Sequence, residues 1–163
     1  MGRLLIALVL MNDGVLRESL LYLSLYFKQH RQDYYARLNR VRESAGWEPW
    51  LRFFAEGVRE TAESAVATAR RLSDLFARDL ERIYAAGRAA GSAAKVHTAF
   101  RERPLWTIGK LKKALGLPVP TVTRAIGALE KLGIVREATG RRRGPVYSYD
   151  ACLKLLSEGT ETS

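Results

Sequence analysis

Apolar residues recur at helical spacing through most of the first ninety positions of this chain. Leu4 to Met11 form an uninterrupted apolar run, and Asn12-Asp13-Gly14 after it has the composition of a turn that ends a helix. Two further helical segments are expected at about 20–29, which is rich in Leu and Tyr, and at about 32–44. The pattern indicates that this part of the chain is helical throughout.

A single long helix is expected from Pro49 to about Ala86. Proline is well tolerated in the first turn of a helix, and after it only Gly57 interrupts the helix-forming residues. One face carries apolar residues at steps of three and four, namely Leu51, Phe54, Val58, Ala62, Ala65, Ala69, Leu72, Phe76, Leu80 and Ile83. This face either packs on the preceding helices or pairs with a second copy of the chain, and its alanines would allow close approach.

A glycine-rich joint of small residues at 87–92 divides the chain in two. We expect a helical domain at residues 1–91 and a smaller domain at residues 92–163. The first carries 14 Lys and Arg against 11 Asp and Glu, a net charge of +3, whereas the second carries 13 against 6, a net charge of +7. The positive charge therefore belongs mainly to the C-terminal domain.

The C-terminal domain begins with three helical segments separated by proline and glycine. The first, at about 93–103, is stopped by Pro104. The second begins at Thr107, an N-cap candidate, and ends at Gly116, and the third covers about 120–131. Burial of the apolar positions leaves polar residues outside, namely Lys110, Lys112 and Lys113 on the second helix and Thr121, Thr123, Arg124 and Lys131 on the third. Two short helices joined by a tight turn are typical of a helix-turn-helix.

A basic hairpin is expected after the third helix. Residues 134–137 and 146–149 are short strand-like runs, and the loop between them carries Arg141, Arg142 and Arg143 bracketed by glycines. We interpret this hairpin as a wing. The sequence thus predicts a mainly α fold: a helical bundle with one long helix, followed by a small winged helix-turn-helix domain with a two-stranded wing.

The arrangement of apolar positions from Val119 to Val135 resembles the second half of the winged helix-turn-helix domains of bacterial transcription regulators. The resemblance covers about residues 93–156, over which the helices, the glycine turn and the basic hairpin occur in the right order. Duplex DNA is the expected partner, because a helix fits the major groove and a basic hairpin can lie on phosphates or in a narrow minor groove. Winged helices also dock proteins, so a protein target stays open. In that case the arginines would belong to a solvated loop, and Thr121 and Thr123 would serve in helix capping.

Composition agrees with a folded, basic protein. The 163 residues are 47% hydrophobic, and 27 Lys and Arg against 17 Asp and Glu give a net charge of +10. A charge of this sign favours polyanions, with nucleic acid ahead of an anionic membrane surface. Cys152 is the only cysteine, which excludes an intrachain disulfide and a thiolate zinc site. Because the apolar run at 4–11 lacks the flanks of a signal peptide and is too short to span a bilayer, we expect a cytoplasmic protein and no membrane partner.

The N-terminal part contains a second set of recognisable segments. They are Gly2-Arg3-Leu4-Leu5-Ile6, Gly14-Val15-Leu16, the run from Leu20 to Arg31, Tyr34-Tyr35, Trp47-Glu48 and the run from Trp50 to Phe54. Together they resemble the Fic family of protein adenylyltransferases just downstream of its active-site loop, and the likeness reaches about Ile83. A C-terminal winged helix commonly follows in that family, so the resemblance covers the whole chain.

The resemblance implies that residue 1 falls inside the family's active-site motif, His-x-Phe-x-Asp/Glu-Gly-Asn-Gly-Arg-x-x-Arg. Arg3 matches the final arginine and would be a remnant of the phosphate-binding site. The histidine base, the acidic magnesium ligand and the phosphate loop would lie upstream of Met1, so we expect either a start assigned at an internal methionine or a fragment of a longer protein. No catalytic residue, metal ligand or cofactor is then expected in this chain, and ATP and Mg²⁺ would bind only where the upstream motif is present.

Neither histidine is expected to replace the missing base. His30 lies in a polar Lys-Gln-His-Arg stretch, and His97 has no acidic partner in the joint region, so both are expected to be surface or packing residues. The two histidines do not have the spacing of a metal site either.

Two hypotheses of function follow. In the first, the chain is a Fic-family C-terminal fragment whose winged helix binds DNA or regulates its parent protein, without catalytic activity by itself. In the alternative, it is part of an active adenylyltransferase that transfers AMP from ATP to protein hydroxyls, and its winged helix docks protein targets. We expect a homodimer formed by the first helix, the long helix or both, although residues 4–10 could instead fold back on the helix at 32–44 and leave a monomer.

Overall fold

The structure of this chain, a computed structural model, describes Asn12 and residues 23–87, 90–141 and 144–158. These residues are mainly helical, with a small antiparallel sheet of three strands. In chain order the elements are α1 (Leu23–Gln29), α2 (Arg31–Ser44), α3 (Trp47–Ala85), α4 (Ala90–Glu102), β1 (Leu105–Thr107), α5 (Ile108–Leu115), α6 (Val119–Lys131), β2 (Arg136–Glu137), β3 (Val146–Ser148) and α7 (Asp150–Ser157). Two compact units divide between Ala67 and Thr68.

The N-terminal unit is built around aromatic side chains from α1 and the start of α3. Its buried residues are Leu23, Tyr26, Phe27, Trp50 and Phe53. The ring centroid of Phe27 lies 6.1 Å from that of Trp50 and 5.9 Å from that of Phe53. Tyr26 packs on Gly57, where an added Cβ would lie 2.6 Å from the ring. A glycine that interrupts the helical pattern in the sequence is therefore required by a close contact with α1.

The long helix predicted from the sequence is confirmed and has 39 residues. Its predicted apolar face is buried only near the two ends. Leu51, which was expected on this face, is instead 58% exposed, whereas Phe53 and Leu75, which were not, are buried. Of the predicted residues, Phe54 and Val58 pack against the core of the N-terminal unit, and Leu72, Phe76, Leu80 and Ile83 belong to or pack against the core of the second unit. In between, three alanines on the same face are exposed among the described residues, namely Ala62, Ala65 and Ala69.

The second unit begins within α3, at Thr68, and thus takes in part of this helix as well as residues that follow the glycine-rich joint. The hydroxyl of Tyr149 donates a hydrogen bond of 2.6 Å to the buried carboxylate of Asp79 on α3. Arg82, one turn further along, donates to the other carboxylate oxygen of Asp79 at 2.9 Å and also to the carbonyl of Leu132. Polar contacts thus join the last turns of the long helix to the C-terminal elements.

The sheet has the strand order β1–β3–β2, and both pairings are antiparallel. The expected two strands are present as β2 and β3, with Arg136 opposite Ser148 and Glu137 opposite Tyr147. The expectation of a two-stranded wing was nevertheless incomplete, because Leu105 pairs with Ser148 and makes β1 a third strand. Strand β1 has only three residues, and it is a strand only because it pairs with β3, which lies far along the chain.

Candidate nucleic-acid interface

Helices α5 and α6 are positioned by local signals at their ends and by a shared core. The hydroxyl of Thr107 accepts a hydrogen bond of 3.3 Å from the backbone N–H of Lys110, which confirms the predicted N-cap of α5. Gly116 ends α5 in the left-handed conformation, with φ of 64°. Leu111 of α5 and Val122 and Ile126 of α6 are buried in the same core. Their burial turns the polar residues of both helices outward.

The basic residues predicted on these helices are exposed. Within the described residues, none of the following forms an ion pair: Lys110, Lys112, Lys113, Arg124, Lys131 and Arg141. Three other arginines of the same unit do have carboxylate partners, since Arg71 pairs with Glu158, Arg82 with Asp79 and Arg136 with Asp150. The described lysines and arginines that the sequence predicted to bind DNA are therefore among the cations of this unit without a carboxylate partner.

The two threonines of α6 have different surroundings. Thr123 is exposed, and its hydroxyl donates a hydrogen bond of 2.9 Å to the carbonyl of Val119 within the helix. That hydroxyl can still accept a hydrogen bond from a ligand, and its methyl group stays accessible. Thr121 is half-buried. Neither threonine is the N-cap residue of α6, because Pro118 occupies that position without a side-chain cap.

The loop between β2 and β3 is organised by Glu137 and Thr139. The carboxylate of Glu137 accepts hydrogen bonds from the backbone N–H of Thr139 at 2.9 Å and from its hydroxyl at 2.7 Å. The same hydroxyl accepts a bond of 3.2 Å from the backbone N–H of Val146 across the hairpin. Arg141 is exposed in this loop, whereas Arg142 and Arg143 lie outside the described residues. The pattern of residues did not single out Glu137 or Thr139 as site residues, although an acidic residue two positions before a threonine in a turn is a recognisable local signal.

Burial lowers the pKa of His97, which is completely enclosed on α4 and is thus a packing residue, as the sequence suggested. His30 is exposed, and its ring lies 4.4 Å from that of Tyr26. Arg3 lies outside the described residues. Across the described ranges, no group of three His, Cys, Asp or Glu side chains is arranged to hold a metal ion.

None of the helices among the described residues combines the length and apolar character needed to cross a bilayer. No protein-family model matches the sequence. Within the described residues, the surface of α5, α6 and the β2–β3 hairpin presents cations without ion pairs, with hydroxyl and apolar groups at the start of α6.

Proposed function

We propose that the second unit binds duplex DNA as a winged helix-turn-helix, with α5 and α6 as the two helices and the β2–β3 hairpin as the wing. The observation that carries this proposal is the set of exposed cations without ion pairs on these three neighbouring elements. An unpaired, hydrated cation is ready to replace the counterions of a phosphate, and this exchange supplies most of the affinity for DNA.

Helix α6 is the segment we assign to the major groove. Its 13 residues make it about 20 Å long, and a helix of ordinary diameter fits a groove about 12 Å wide. Val119, Thr123 and Arg124 are exposed in its first two turns, where a recognition helix contacts base edges. Arg124 can donate two hydrogen bonds to a guanine, and the methyl groups of Val119 and Thr123 suit the methyl group of thymine.

The salt dependence of DNA affinity tests this proposal. In fluorescence anisotropy with a duplex of about 24 base pairs, log affinity should fall with log salt by about 0.9 for each phosphate neutralised. Replacing Arg141, Arg142 and Arg143 together by alanine should lower the affinity for every sequence and reduce this slope. Replacing Thr123 or Arg124 should also weaken discrimination between sequences.

A matched control separates local contacts from overall charge. Replacing Arg40, Arg42 and Arg52 by alanine lowers the net charge from +10 to +7, as the loop variant does, but these exposed residues lie in the N-terminal unit. We expect this control to retain most of the affinity. Equal losses in the two triple variants, or binding that does not depend on salt, would favour a protein-docking role for the second unit.

We propose, in addition, that residues 1–83 are related to Fic proteins and that this chain transfers no nucleotide by itself. The support is the set of resembling segments that begins at Gly2-Arg3, together with the absence of the motif's histidine and acidic residue from the 163 residues. A general base contributes about 10² to 10⁴-fold to such a reaction. With magnesium and ATP labelled in its α-phosphate, we expect no label on the chain or on lysate proteins above a no-protein background. Labelling above that background would contradict the proposal.

A further inference from the structure

We infer that Glu137 positions the arginine loop on DNA, so that an acidic residue at a DNA-binding surface increases affinity. This inference rests on the proposed DNA-binding function and extends it to a residue that does not itself contact the phosphates. Its basis is the set of hydrogen bonds that joins the Glu137 carboxylate to the loop that carries Arg141.

The carboxylate of Glu137 is directed into its own loop. It accepts the two hydrogen bonds from Thr139, and the backbone N–H groups of Gly140 and Arg141 also contribute to lowering its pKa. Because the Thr139 hydroxyl in turn accepts from the N–H of Val146, the chain of bonds ties the end of β2 to the start of β3. Gly140 follows in the left-handed conformation, with φ of 61°, and the arginines come next.

Two effects of this carboxylate on DNA affinity have opposite signs. Its charge repels phosphates, so that removing it without any structural change should tighten binding. Its hydrogen bonds hold residues 137–141 in one arrangement before DNA arrives, which reduces the entropy lost when Arg141 binds the duplex. Two Thr139 donors bind one oxygen of this carboxylate. Hydrogen bonds to a charged group are strong, whereas salt screens the repulsion between exposed charges, so we expect the positioning effect to be the larger of the two.

The experiment compares Glu137→Ala with Glu130→Ala in anisotropy titrations of the full chain with duplex DNA. Both substitutions raise the net charge from +10 to +11, but Glu130 is exposed on α6 and forms no ion pair among the described residues. We expect Glu130→Ala to bind equally well or more tightly. Glu137→Ala should bind about three- to tenfold more weakly and show a smaller salt slope, because fewer arginines reach phosphates.

The same substitution in the variant that lacks Arg141, Arg142 and Arg143 distinguishes positioning from general destabilisation. There the loop has no arginine to position, so Glu137→Ala should leave DNA affinity unchanged or increase it. An equal loss in both backgrounds, or tighter binding by Glu137→Ala in the unsubstituted chain, would overturn the inference while leaving the proposed function intact. Failure of the unsubstituted chain to bind duplex DNA would overturn both. Circular dichroism of each variant shows that it is folded.

Discussion

At the scale of single residues, the buried face of α4 carries a histidine among apolar neighbours. Neither ring nitrogen of His97 has a hydrogen-bond partner within the described part of the chain, and its ring centroid lies 6.2 Å from that of Phe76 and 5.6 Å from that of Tyr149. Burial lowers the pKa of His97 more than the nearby Asp79 carboxylate raises it. The imidazole therefore packs as a neutral ring, and its protonation would place a positive charge in the core.

We predict that acid reduces the stability of the second unit through His97. Below about pH 6.5, the ordinary pKa of a histidine, the unfolded chain binds a proton that the folded chain does not. The free energy of unfolding then falls by up to about 1.4 kcal/mol per pH unit until the lowered pKa is reached, whereas above neutral pH this group has no effect. Urea unfolding of the intact chain at pH 7.5 and pH 5.0 measures the difference.

His97→Phe should reduce this acid sensitivity, because it keeps a ring in the core and removes the titrating group. It should also raise the free energy of unfolding at neutral pH by about 1 kcal/mol, since two buried polar atoms without partners are lost. His30→Phe is the matched control, because His30 is exposed, and it should keep the full acid sensitivity. An unchanged acid response in His97→Phe would assign that response to other groups.

At the scale of elements, α6 contains a glycine that its own packing does not require. No described atom lies within 4 Å of a Cβ added at Gly127, although a glycine inside a helix costs about 1 kcal/mol relative to alanine. Gly127 follows Thr123 by four residues and thus shares its side of the helix. This position suits a surface where the helix backbone comes close to a partner.

We predict that Gly127→Ala makes the protein more stable and its DNA binding weaker. Thermal unfolding should show a gain of about 0.5 to 1 kcal/mol, and anisotropy should show a loss of affinity, because the added methyl group would stand between α6 and the groove. Gly91→Ala in the first turn of α4 is the control, since a Cβ added there also has none of the described atoms within 4 Å. That control should leave DNA affinity unchanged. A Gly127→Ala variant that binds as tightly as the original chain would place the DNA away from this part of α6.

Elements that local chemistry specifies could be predicted from the sequence. The cap at Thr107 and the left-handed Gly116 bound α5 within a few residues, and the spacing of apolar residues showed the long helix. Strand β1 could not be predicted, because its three residues depend on pairing with β3 about forty positions later. Helix α7 was missed as well, since Asp150–Ser157 is short and has no side-chain N-cap. At the candidate site, the exposed lysines and arginines could be predicted from residue type and helical spacing. The role that we propose for Glu137 could not, because it depends on how the loop between β2 and β3 folds.

At the scale of the whole molecule, α3 leaves apolar and small side chains uncovered among the described residues. Val66 is 51% exposed and Leu51 is 58% exposed, and the three alanines between the two packed ends are exposed too. Small residues at steps of three and four allow the backbones of two helices to come close together. The sequence left two partners open for this face, the preceding helices or a second copy of the chain. For the middle of the face, we propose a second copy.

We predict a homodimer that depends on this face of α3. Light scattering should give a mass near twice the 18.3 kDa of one chain, and Ala62→Glu should shift it toward that of the monomer, because it places charges between two closely packed helices. Ser64→Glu adds the same charge about 200° around the helix and should leave the dimer intact.

Deleting residues 1–14 tests the other expected contact, since a dimer formed by the first helix would dissociate in that variant. A mass that stays at that of one chain at every concentration would rule out the dimer. A dimer that Ala62→Glu leaves intact would show that the interface does not lie on this face of α3.

A dimer would also present two α6 helices to a two-fold symmetric DNA site, so Ala62→Glu should weaken binding to a palindromic duplex more than binding to a single half-site.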